Sequence, residues 1–144
     1  MTDEALIAQA KAMVHRAWAP YSHYHVGAAL LGSDGQVYTG CNIESASFGA
    51  TICAERCAIA AAFAAGCRSF TRAAVISDHD AVCTPCGICR QLLAEFSDNL
   101  IVLCCRPNGT VVKLRAEELL PYAFGSDSMA EADSAAASVD DITK

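Results

Sequence analysis

Two short segments, T-I-C-A-E-R at 51–56 and T-P-C-G-I-C-R at 84–90, each put cysteine where a helix is expected to begin, and a fold must bring both starts to one point. Cys86 and Cys89 have the C-x-x-C separation that zinc sites use repeatedly, and at i, i+3 on a helix start they share a face. Cys53 heads a second helical segment: Ile52 to Ala65 is alanine-rich, free of internal Pro and Gly, and followed by Gly66 where a helix favours a C′ glycine. Free N–H groups and the positive dipole end at each helix start favour the thiolate form that binds metal. Three thiolates on zinc leave a fourth tetrahedral position for water, and Glu55, two residues past Cys53, can reach over it to move protons. This donor set implies hydrolysis.

Three thiolates on a divalent ion leave excess negative charge, which makes bound water less acidic than at a histidine site. Arg56, three residues from Cys53 and on the same helical face, is the candidate to offset it by donating to the sulfurs. Arg90, beside Cys89, is a second candidate and reads equally well as an ordinary structural ion pair. A closed four-cysteine structural site is the rival arrangement, with Cys83 or Cys57 as fourth ligand. Cys57 runs on into Ala58-Ile59-Ala60-Ala61, where a free thiol packs as a small hydrophobe, so Cys83 is the better contender. Cys41, Cys67, Cys104 and Cys105 read as core or half-buried positions.

Around these segments the pattern alternates. Thr2 caps a first helix whose apolar face runs from Leu6 to Trp18 and which Pro20 ends. Val26 to Leu31 and Gln36 to Thr39 form a hairpin around Asp34-Gly35, with Gly40 breaking the second strand. Ala73 to Ser77 is a short strand, Thr84-Pro85 the entrance to a helix over Cys86 to Phe96, Leu100 to Cys104 and Thr110 to Leu114 an antiparallel pair, and Ala116 to Leu120 a short helix stopped by Pro121. The order predicts an α/β sheet with helices packed on it.

The chain has 144 residues, enough for one domain with a sizeable core, and a net charge of −6. Five acids against Lys144 alone put four of those charges after Phe124, so residues 126–144 read as an acidic, mobile tail beside a catalytic unit at 1–125. No Lys/Arg cluster offers a face for phosphates, which argues against nucleic acid and for a small neutral substrate. Nine cysteines, an odd number set mostly in apolar or motif segments, fit reduced or metal-bound thiols better than a disulfide framework. With neither a basic N-terminal leader nor a membrane-spanning run, a cytoplasmic protein with no membrane partner is expected.

C-A-E followed by P-C-x-x-C is the signature of zinc deaminases with three cysteine ligands. The chain as a whole resembles the small cytidine deaminases from about Leu6 to Phe124, through A-P-Y-S at 19–22, V-G-A-A-L-L at 26–31, G-C-N-I-E at 40–44, the two cysteine segments, and E-E-L-L-P-x-x-F ending at Phe124. The resemblance implies a three-layer α/β/α sandwich around a mixed five-stranded sheet, one zinc per chain, a homotetramer whose active sites neighbouring subunits complete, and hydrolysis of cytidine or deoxycytidine to the uracil nucleoside and ammonia. It makes Glu55 the catalytic acid and base, and Cys53, Cys86 and Cys89 the ligands. It also implies Asn42 and Glu44 as a ribose clamp, the Ala54 N–H as a guide for the base carbonyl, Tyr24 as a base-pocket wall, and Phe124 as the aromatic that reaches a neighbour's base. From residue types alone, Asn42 and Glu44 read as a turn Asn and a solvated Glu, and Tyr24 and Phe124 as core or interface packing. Tyr24 and Phe48 depart from the Phe and Tyr common in the family, which bears on tolerance for modified nucleosides. Competing readings are a blasticidin-type deaminase, a nucleic-acid deaminase and a non-catalytic zinc module.

Overall fold

The computed structural model describes residues 1–130, in the order α1 (Asp3–Val14), β1 (Val26–Gly32), β2 (Val37–Cys41), α2 (Ala54–Ala64), β3 (Phe70–Ser77), α3 (Gly87–Glu95), β4 (Ile101–Cys105), β5 (Val111–Arg115) and α4 (Ala116–Leu119). The strands pair as β2-β1-β3-β4-β5. β3 and β4 are parallel and the other neighbours antiparallel, so the sheet is mixed.

Period-two alternation divides the strand side chains between two cores. Ala29, Leu31, Ala74, Ile76, Leu103 and Cys105 meet Leu6, Ala10 and Val14 of α1 on one face. Ala28, Leu30, Ala73, Val75, Val102 and Cys104 meet Ala58 and Ala62 of α2, Leu93 of α3 and Leu119 of α4 on the other. Helices thus cover both faces, and all seven β1 residues are buried. This is the expected three-layer α/β/α sandwich.

The topology also sets where the helices start. β2 and β3 are each antiparallel to β1, so they run in the same direction, and the segments that follow them leave from the same edge of the sheet. α2 follows β2 and α3 follows β3, which brings their N-termini together.

Several boundaries differ from expectation for nameable reasons. α1 stops at Val14, with His15 as its C-cap, rather than running to Trp18. Trp18 N instead donates to Asn42 O at 3.0 Å and Glu44 N to Trp18 O at 2.8 Å, a non-local pairing invisible to helical periodicity. Gly40 continues β2 instead of breaking it, because α2 lies directly on it: a Cβ there would sit 2.3 Å from Ala54 O and 2.5 Å from Ala58 N. β3 begins at Phe70, three residues ahead of the expected start. Cys86 rather than Thr84 is the N-cap of α3. Of the tail expected over 126–144, residues 126–130 are helical and 131–144 lie outside the described residues.

Candidate active site

Cys53 and Cys86 are the N-cap residues of α2 and α3, both with extended backbone, and neither side chain accepts a helix N–H. Their sulfurs turn toward each other instead, 3.5 Å apart. Cys89, on the first turn of α3, completes a triangle in which all three Sγ atoms lie within 4.8 Å of one another. Cys86 is exposed, Cys53 half-buried and Cys89 fully buried.

The sulfurs do not share protons evenly. A hydrogen bond with Cys89 is the main cause that lowers the Cys53 thiol to about 5, with Cys86 and the Arg56 guanidinium adding to it. Cys89 is pushed up, by that same hydrogen bond first, then by burial and the negative charge of Glu55. One sulfur drawn toward the thiolate beside a buried one that resists ionisation is a donor set that suits a thiophilic divalent ion. Glu55 is 4% exposed, and burial, reinforced by the charge of Cys53, pushes its carboxyl up to about 7. A carboxyl near neutrality can both take and give a proton.

Arg56 donates through Nη2 to Thr51 O at 2.9 Å, and its buried Nε has no hydrogen-bond partner among the described residues. Its guanidinium acts on the Cys53 sulfur by hydrogen bonding and by charge, and its bond to Thr51 also anchors the loop ahead of α2. Among the described residues Arg90 makes no ion pair: it donates to Pro85 O at 2.7 Å and Leu119 O at 3.2 Å, tying the loop ahead of α3 to α4. Cys57 and Cys83 stay outside the sulfur triangle. Cys83 is buried with the Tyr24 hydroxyl 3.8 Å from its sulfur, and burial pushes its thiol up to about 11.

A cavity of about 310 Å³ opens at this group, lined by Cys53, Ala54, Glu55 and Cys86 together with Ser22, Tyr24, Asn42 and Glu44, with no Lys or Arg among the described lining residues. Asn42 is 8% exposed; its Oδ1 accepts from Val26 N and its Nδ2 donates to Tyr24 O, both at 2.8 Å. Glu44 accepts from Tyr21 N at 2.9 Å, from Ser22 N at 3.2 Å and from the Ser22 hydroxyl, which hold its carboxyl below the usual range, the hydroxyl contributing most. Both side chains are therefore preorganised by backbone, with acceptor and donor capacity left over. Ala54 occupies the first position of α2, where the N–H has no intrahelical acceptor.

Phe124 does not reach this cavity. It is 61% exposed, its carbonyl held by Gln91 Nε2 at 2.7 Å, and it borders a separate hollow near the end of α3. Phe48 is 76% exposed and packs edge-on against Tyr21 with ring centroids 6.0 Å apart.

Residues 1–105 match the family described as the cytidine and deoxycytidylate deaminase zinc-binding region. The chain belongs to that family. A cytidine deaminase of Sporosarcina psychrophila is 41% identical over 133 residues, 92% of this chain and 98% of the relative. The 1.6 Å crystal structure of cytidine deaminase from Burkholderia pseudomallei superposes with a TM-score of 0.82 at 46% identity, covering 86% of this chain and all of that one. Cytidine deaminase from Mycobacterium tuberculosis gives 0.75 at 38% identity, over 87% and 99%. The deaminase family and the triangle of Cys53, Cys86 and Cys89 together make zinc the cofactor. No helix among the described residues is long and apolar enough to cross a membrane.

Two deaminase cavity residues escaped the sequence reading. Ser22 pins Glu44, and Thr51 supplies the carbonyl for Arg56 and a hydroxyl that accepts from Ser45 N at 3.2 Å. Ser22 ends the A-P-Y-S segment and Thr51 opens T-I-C-A-E-R, so their motifs were visible while their partners were not.

Proposed function

We propose that this chain hydrolyses cytidine and 2′-deoxycytidine to uridine and 2′-deoxyuridine with release of ammonia, in pyrimidine salvage. The observation that carries the reading is that the buried Glu55 lines one cavity together with Cys53 and Cys86 of the sulfur triangle. Cys53, Cys86 and Cys89 hold zinc, which when bound supplies a Lewis acid that makes water a nucleophile near neutral pH. Glu55 takes a proton from the attacking water and passes it to N3 of the cytosine ring, which makes C4 more electrophilic. It then carries the second proton to the departing amine, acting as base and then acid. Arg56 offsets part of the thiolate charge.

Asn42 and Glu44 receive the ribose hydroxyls, the Ala54 N–H meets the base carbonyl, and Tyr24 walls the base. A described lining without Lys or Arg, together with the Glu44 carboxylate, favours a neutral nucleoside over a nucleotide, whose phosphate would find no cation there. The same pair disfavours a substrate that lacks the ribose hydroxyls, such as blasticidin. Residues 1–125 form the catalytic unit and 126–144 an acidic appendage.

Phe124 completes a neighbour's site in a homotetramer. Its exposure, and that of Trp18, Ile43, Phe48 and Tyr122, leaves large apolar surface of the kind subunit contacts cover. Nine free thiols favour a reducing compartment, hence the cytoplasm.

Spectroscopic conversion of cytidine by the wild type and Glu55→Gln tests the centre of this reading. The variant is expected to keep its zinc and lose roughly 10²–10⁴-fold in kcat. Full activity in Glu55→Gln would remove the assigned role.

A further inference from the structure

β1 and β3 remain joined past the end of their ladder. Beyond the Val26–Ser77 pair, His25 N donates to Asp78 Oδ1 at 3.1 Å, Asp78 N donates to His25 O at 3.1 Å, and His25 Nδ1 lies 2.7 Å from Asp78 Oδ2. His25 is thereby locked, and Tyr24 precedes it. On the other side of Tyr24, His23 holds a positive φ of 56° and turns its carbonyl to within 3.4 Å of His79 Nε2. His79 meets Tyr24 directly, with ring centroids 4.6 Å apart and planes at 64°. Its Nε2 is also 3.8 Å from Asp78 Oδ1.

Tyr24 is therefore flanked along the chain by two anchored residues and in space by an imidazole, while it lines the cavity that holds Glu55. Burial does not account for the arrangement, since the side chains of His79 and Asp78 are 53% and 38% exposed. Nor does the hydrolytic chemistry use it.

We propose that His79, steadied by Asp78, is a positioning residue: it sets the Tyr24 ring against the cytosine ring of the bound nucleoside and so determines KM. This rests on the nucleoside reading of the cavity given above. A wall that touches the base equally before and during reaction contributes uniform binding, so loosening it weakens ground state and transition state together. Removing an edge-to-face aromatic partner has an effect of a few-fold to roughly tenfold in binding.

The test measures kcat and KM for cytidine, zinc content and melting temperature in His79→Ala, His79→Phe and Tyr24→Ala. Expected are a roughly 3- to 10-fold higher KM in His79→Ala with kcat within about twofold, and a KM near wild type in His79→Phe, whose ring can still pack against Tyr24. An unchanged KM in His79→Ala, a parallel fall in kcat, or no rescue by His79→Phe would overturn the proposal. An unchanged KM in Tyr24→Ala would overturn the base-wall assignment itself, and the positioning role with it. Raised KM in Tyr24→Ala beside an unchanged His79→Ala leaves the nucleoside reading standing and defeats this inference alone.

Discussion

The Sγ atoms of Cys53 and Cys86 lie 3.5 Å apart although the residues are 33 positions apart in the chain. Each is the N-cap of its own helix, and the two helices start at one sheet edge because β2 and β3 run the same way. The metal centre is in this sense a property of the sheet topology.

Three sulfurs, and no fourth, converge among the described residues. Thiol counting on the folded zinc protein is therefore expected to find three metal-protected cysteines. Cys83→Ala should keep one zinc per chain, and Cys89→Ala should lose zinc and activity together. Four protected thiols, or zinc loss in Cys83→Ala, would restore the closed structural site.

Gly40→Ala should damage both fold and site. Its Cβ would enter the space of Ala54 O and Ala58 N, which are backbone atoms and cannot rotate away. A loss of roughly 1–3 kcal/mol in denaturant unfolding is expected, together with weaker zinc retention, since α2 carries Cys53 at its start. Wild-type stability in this variant would show that α2 does not rest on β2 as described.

Asp3 links α1 to the sheet, accepting from Arg72 Nη1 at 2.7 Å and Lys113 Nζ at 2.6 Å. Those hydrogen bonds, Lys113 first, hold its carboxyl below the usual range. Because the folded value is the lower one, its stabilisation is present above the unfolded pKa of about 4 and is lost as pH falls through the folded value. Asp3→Asn should cost up to about 1 kcal/mol at pH 7, and the gap from wild type should shrink as pH drops below about 4. Urea titrations of both proteins across that range check it, and a pH-independent gap would exclude the ion-pair origin.

Much of the fold was legible because its signals are local. The continuous apolar run Val26 to Leu31, the alanine-rich run after Cys53 and the Asp34-Gly35 turn each depend on neighbours in sequence. Non-local contacts were not legible. Trp18 looked helical by period and is held by Asn42 and Glu44; Gly40 looked like a breaker and is a close-packing site; the bond from Arg56 to the Thr51 carbonyl had no signal in the spacing.

By itself the sequence determined the chemical inventory: three cysteines and a glutamate at two helix starts, in spacings that physical chemistry links to thiolate zinc and proton transfer. Only the tertiary structure decided which sulfurs meet and that Glu55 is buried enough for its carboxyl to be pushed up to about 7. The reason is physical. Residue identity sets what a side chain can do, whereas strand direction and burial set its neighbours and its dielectric surroundings, and these come from pairings between distant parts of the chain.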